Sequence, residues 1–151
     1  MEHHGHGTSL NRTALSATLH CLTGCAIGEV LGLVLATAFG WRNFASIVAA
    51  VLLAFVFGYA FSVRPLLVGD VSLEQAVRIA FAADTLSITT MEIVDNAIVL
   101  AVPGAMSAGL VDALFWGSLA LGLFLAFWAA LPVNRYLIAR GRGHALAHAH
   151  H

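Results

Sequence analysis

Apolar positions gather into four runs, at about residues 15–39, 44–63, 77–102 and 110–131, each long enough to cross a bilayer as a helix. Inside the first run the pattern has a helical period. Cys21, Cys25 and Glu29 recur every four residues, and His20, Gly24, Gly28 and Gly32 form the adjoining stripe. Small residues repeated at this spacing let a second backbone come close, so the glycine stripe predicts a helix contact and sets the polar stripe against protein rather than lipid. Ala50, Ala54 and Gly58 in the second run repeat the pattern, as do Ser118, Gly122, Ala126 and Ala130 in the fourth.

The breaks between runs are short. Gly40-Trp41-Arg42-Asn43 predicts a tight antiparallel hairpin between the first two helices. Ser72 is a candidate N-cap with Glu74 in the first turn, so the third helix is expected to start amphipathic at a membrane surface. Pro103-Gly104 should end that helix, and Pro132 the fourth. The expected architecture is all-α: a polytopic domain of four transmembrane helices over 13–138, with a flexible tail at 1–12 and a second tail at 139–151.

Composition agrees with a membrane protein. Of 151 residues, 60% are hydrophobic and 10% charged, too apolar for an ordinary soluble domain. Lysine is absent and the net charge is −1, which argues against a nucleic-acid partner. With a cytoplasmic N-terminus, Arg12, Arg64, Arg78, Arg135, Arg140 and Arg142 all lie inside and Arg42 alone outside, so the expected orientation is N-in, C-in. Trp41, Trp116, Trp128, Tyr59 and Tyr136 would then lie near helix ends at the interface. Four short helices enclose little interior, which favours a homo-oligomer in the bilayer.

The polar residues within the runs carry the chemistry. The third helix holds Asp84, Thr89, Met91, Glu92, Asp95 and Asn96, and no arginine falls in the middle of any run to neutralise Glu29, Glu92, Asp84 or Asp95. Carboxyls at that depth must be protonated, hydrated or bound to a cation. The first and third helices run the same way across the bilayer, so Glu29 and Glu92 are expected at similar depth and in one site. Two cysteines four apart on a helix do not bridge easily, and they read as free thiols or metal thiolates. Each residue also has a plain reading: buried cysteine as apolar filler, His20 bonded to a nearby carbonyl, Ser and Thr bonded back to their own helix.

Taken together, His20, Cys21, Cys25, Glu29, Met91, Glu92 and Asp95 form the candidate metal set, with Asp84, Thr89 and Asn96 lining a path or supporting it. Cys21, Cys25 and Met91 suit Cu(I); His20 with carboxylates suits zinc or iron. Both tails carry histidine, His3, His4 and His6 at one end and His144, His148, His150 and His151 at the other, and these would capture the ion.

The Leu-His-Cys-x-x-Gly-Cys-x-x-Gly-Glu run at 19–29 and Met-Glu-x-x-Asp-Asn at 91–96 resemble a family of small bacterial inner-membrane proteins catalogued only as a domain of unknown function, over about residues 16–140. The resemblance implies a four-helix bacterial membrane protein and no activity. The leading functional expectation is a membrane protein that binds a transition-metal ion, copper or zinc, and conducts, exports or buffers it. The alternative is a metal-independent ion or proton channel using the buried carboxylates. A membrane oxidoreductase or a structural assembly subunit ranks lower, because no Cys-x-x-Cys pair or haem-attachment motif is present and an enzyme is not the favoured reading.

Overall fold

The computed structural model describes residues 3–140, with side chains from residue 8 onward. The chain forms four long helices: α1 (His3–Phe39), α2 (Asn43–Val68), α3 (Leu73–Ala101) and α4 (Ala113–Ala139). A single 3-10 turn, Ala105–Ser107, lies between α3 and α4. Among the described residues there are no strands. Three helices, α1 from Thr8, α2 and α4, are long and apolar enough to cross a membrane. The third expected span, α3, is as long, but Glu74, Arg78, Asp84, Glu92 and Asp95 make it far more polar than the others. It fits among them by turning Asp84, Glu92 and Asp95 inward.

This is a membrane protein built with large side chains outside and small ones inside. Leu52, Val56, Phe81, Ile93, Leu100, Phe124 and Trp128 are exposed, whereas Ala14, Ala54, Ala76, Ala126 and Ala130 are buried. In lipid there is little hydrophobic drive to hold one apolar helix on another, so close packing of small residues carries the association. The α1–α2 interface does this most fully. A methyl built on Gly24 would stand 2.6 Å from the Gly58 nitrogen, and one on Gly32 the same distance from the Ala50 Cα. The three stripes read from the sequence are therefore the packing faces.

Consecutive helices are antiparallel neighbours in a ring, with α1 also packing on α4 and meeting α3 across the centre. Gly40, at φ +65°, takes the left-handed conformation that closes the α1–α2 turn, and Gly104, at φ +85°, does the same after α3. Ser72 caps α3 as expected, its hydroxyl accepting from the Gln75 N–H. Ahead of α4, Asp112 accepts from the Gly109 N–H at 2.7 Å and Trp116 donates to the Leu110 carbonyl at 2.9 Å, which pins the linker.

Three local expectations differ. Backbone helix begins at His3, where a flexible tail over 1–12 was expected. Pro132 does not end α4, which continues to Ala139, and α2 likewise runs through Pro65 to Val68. With α4 longer, Trp128 sits well inside it. Tyr59 is also inside its helix, its hydroxyl 2.7 Å from the Thr85 Oγ1, so it ties α2 to α3 instead of marking an interface.

Candidate functional site

Helical spacing turns one face of α1 and one of α3 toward the bundle axis. From α1 come Thr18, Cys21, Cys25 and Glu29; from α3 come Asp84, Ser87, Met91, Glu92 and Asp95. Because α1 and α3 run the same way, partners ascend together. The Cys21 thiol donates to Asp84 Oδ1 at 3.8 Å, and Cys25 Sγ lies 4.0 Å from Met91 Sδ. Both cysteines are free thiols, and Cys21 and Met91 have no exposed surface. Gly58, Ala54, Ala126 and Ala130 supply the small walls that leave room for these side chains.

At one end of this ladder Asn134 of α4 donates to Thr18 Oγ1 at 2.9 Å, while Thr18 itself donates to the Ala14 carbonyl at 2.7 Å. At the other end are three acids. Glu29 is the electrostatic neighbour of Asp95 and Glu92, and Glu92 also adjoins Cys25. Asn96 donates to the Glu92 carbonyl at 2.9 Å and reaches its Oε2 at 3.4 Å. Glu29 Oε1, Glu92 Oε1 and both Asp95 carboxyl oxygens are buried and receive no hydrogen bond from a well-placed protein donor among the described residues. The Glu29 and Asp95 carboxyls instead face each other. Asp84 Oδ2 and Ser87 Oγ are in the same position nearer the thiols, buried without such a donor. Gly122 of α4 faces Asp95 so closely that a Cβ there would overlap the carboxyl.

Buried polar atoms are ordinarily satisfied, and unpaired carboxylates in an apolar interior are costly. Among the described residues no ion pair reaches these acids; Arg78 pairs with Glu74 at 3.4 Å on the surface. A cavity of about 380 Å³ reaches Glu29 on the side away from the thiols, and Glu92 and Asp95 do not line it. Glu29 and Asn96 form its inner end, and the α1–α2 turn, through Gly40, Trp41 and Asn43, together with residues 105–109, forms its outer end.

The structure thus divides the predicted metal set. Cys21, Cys25, Met91, Glu29, Glu92, Asp95 and Asp84 lie along one axis, and Glu29 and Glu92 are electrostatic neighbours on it. His20 does not join them: it is exposed, and its Nδ1 lies 2.8 Å from the Ser16 carbonyl one turn back. Thr89 bonds back to the Thr85 carbonyl at 2.6 Å. Among the described residues no three His, Cys, Asp or Glu side chains stand close enough to ligate one ion directly, so the axis is a succession of pairs and not a single closed cage. His3, His4, His6, His144, His148, His150 and His151 lie outside the residues whose side chains are described.

Sequence reading missed Thr18, Ser62 and Asn134, all buried. Thr18 lies three residues before Cys21 and so on the same face, a signal that was present. Asn134 was hidden by the assumption that Pro132 closes its helix.

No curated protein and no solved structure matches the chain. A family model does, over residues 10–143, from within α1 to beyond the end of α4. On that match, which agrees with the resemblance carried by the motifs at 19–29 and 91–96, the chain belongs to the family described as Domain of unknown function (DUF4396).

Proposed function

We propose that this is a bacterial cytoplasmic-membrane protein that binds a soft transition-metal ion, Cu(I) above all, between its interior thiols and thioether, and conducts, exports or buffers it. The observation that carries the reading is the sulfur pair. Two sulfurs bound at about 2.3 Å to one metal at a trigonal angle stand about 4.0 Å apart, and thiolate with thioether is the donor set that selects Cu(I). Cys25 Sγ and Met91 Sδ are separated by 4.0 Å in the core. Cys21 with Asp84 offers the next pair along the axis toward Thr18 and Asn134.

Zn(II) fits this set less well, because it asks for four ligands in a tetrahedron and His20 faces away. The arginine distribution supports both termini in the cytoplasm. The histidine tails would then gather the ion on that side. A homo-oligomer would cover outward faces of the helices that carry small and polar residues, such as Thr23 and His20 on α1.

The test is Cu(I) affinity measured by competition with a chromogenic chelator on purified full-length protein. Cys25→Ser together with Met91→Leu should weaken the interior site by about 100-fold or more, while deleting the histidine tails slows loading and leaves that site in place. Unchanged affinity in the double variant would make both sulfurs packing atoms. The alternative, a metal-independent ion or proton channel, is favoured by three buried acids without a basic partner among the described residues and by the cavity that reaches one of them, Glu29. It predicts flux into liposomes that survives strong copper chelators and the loss of both thiols.

A further inference from the structure

The cavity at the end of the bundle that carries the α1–α2 turn has a make-up the sulfur pair does not explain. Its volume, about 380 Å³, lies at the lower end of small-molecule sites, which run from roughly 300 to 1,000 Å³. Such sites have mostly apolar walls and a few placed polar groups, and this one is built that way. Ile47, Val99 and Leu119 supply apolar sides, with Phe115 and Trp41 toward the outer end. The polar groups on the lining include Glu29, Asn96, Ser118 and Ser46.

Those four groups have spent their protons elsewhere. Ser118 donates its hydroxyl to the Leu114 carbonyl at 2.8 Å and Ser46 to the Arg42 carbonyl at 3.2 Å, so each keeps only lone pairs. Asn96 commits its amide nitrogen to Glu92, at the carbonyl and at Oε2, which leaves its own Oδ1 as the acceptor. Glu29 closes the inner end with a carboxyl whose Oε1 receives no protein donor, and its neighbours Glu92 and Asp95 deepen the negative potential behind it. Among the described residues no basic side chain lines the space. A hard metal ion takes six or more oxygen ligands, often several of them carboxylate, and one carboxyl does not make that set.

We infer that this cavity binds a small organic monocation, a primary ammonium on a compact apolar body. An ammonium carries three donors and no acceptor, which is the complement of Glu29, Asn96 and Ser118, and its single charge matches the one carboxyl on the lining. The body then lies against Val99, Leu119 and Phe115. A neutral alcohol of the same shape brings one donor and no charge, and a carboxylate brings neither. The inference does not rest on a metal at the sulfurs.

The experiment is calorimetric titration of purified full-length protein in dodecylmaltoside with three primary amines of graded size, n-butylamine, cyclohexylamine and 2-phenylethylamine. Empty micelles titrated alongside remove the heat of partition. At least one amine should bind saturably, one per chain. For that amine, the alcohol and the carboxylic acid of matching shape should compete at least about tenfold less well. Glu29→Gln should weaken binding about 10- to 100-fold, the range that loss of one hydrogen bond to a charged group brings. Ala108→Phe, on the linker before α4, fills the space from the outer side and leaves the acids untouched, and it should weaken binding as far. The two variants are read separately, so that either carries the result if the other misfolds.

No saturable binding of any of the three amines would overturn the site. An alcohol that competes as well as its amine would make the cavity a pocket for neutral apolar molecules, and affinity unchanged in a folded variant would put the amine elsewhere; either result overturns the inference. The outcome separates from the sulfur reading: Cys21→Ser with Cys25→Ser should lose Cu(I) affinity and keep amine binding in full. If Cu(I) binding survives that change, the sulfur reading fails while the amine site stands.

Discussion

Gly28 is where α1 and α2 come nearest, and replacing it tests whether the stripe of small residues sets the geometry of the whole axis. A Cβ built at Gly28 would collide with the Ala54 backbone nitrogen and stand 2.6 Å from the Ala54 Cα and 2.9 Å from its Cβ. Carbon atoms in good contact sit about 3.5–4.0 Å apart, so Gly28→Ala must push the two backbones apart by about 1 Å. Overpacking of this kind costs about 1–3 kcal/mol, and because the obstacle is backbone rather than a mobile side chain, the upper half of that range applies. Alanine's better helix propensity, about 1 kcal/mol, offsets part of this only if the unfolded reference is coil. In a bilayer or micelle the separated helices remain helical, so the offset is small. Gly117→Ala supplies the control, since nothing lies within 4 Å of a Cβ there. The assay is unfolding of both variants in mixed dodecylmaltoside and SDS micelles, followed by tryptophan fluorescence. Gly28→Ala should lose about 2 kcal/mol relative to Gly117→Ala. Equal stability of the two would refute the claim that backbone contact along Gly24, Gly28 and Gly32 holds α1 on α2.

Other consequences follow from single contacts. Asn134→Leu removes the hydrogen bond to Thr18 but leaves Thr18 bonded to Ala14, so it should cost about 0.6–1.7 kcal/mol in the same micelle assay, and Thr18→Val should add little to it. Glu29→Gln and Glu92→Gln, tested for cation flux in liposomes, should each impair it and combine with a coupling of at least about 0.5 kcal/mol; additive effects would mean two separate sites. Reporter fusions at His151 and near Met106 should report opposite sides of the membrane, and the same side for both would overturn the arginine-based orientation.

Much of the fold was written in local pattern. Gly24, Gly28 and Gly32 repeat at one helical interval, and only a close backbone explains three glycines there, so the α1–α2 face could be read directly. Glu29 and Glu92 could be placed at one depth because short turns force the helices to alternate direction. What failed was anything requiring the exact facing of a residue or the reach of an element past its usual stop. His20 shares the run with Cys21, but one residue along a helix is a turn of about 100°, and its ring folds back onto Ser16. Pro132 was read as a terminator, yet α4 continues to Ala139, bringing Asn134 inside to meet Thr18. The cavity was beyond sequence reading altogether, since its wall is assembled from Glu29 and Trp41, Asn96, and the segment at 105–109, residues that no periodicity links.

The most direct test of the central claim is X-ray absorption at the copper edge on full-length protein loaded with one equivalent of Cu(I), because it separates the interior sulfurs from the histidine tails. Metal at Cys25 and Met91 predicts a shell of sulfur at about 2.3 Å that loses amplitude in Met91→Leu and vanishes when Cys21→Ser and Cys25→Ser are added to it. A spectrum made up only of nitrogen and oxygen at about 2.0 Å, unchanged in those variants, would place the copper elsewhere and contradict the account.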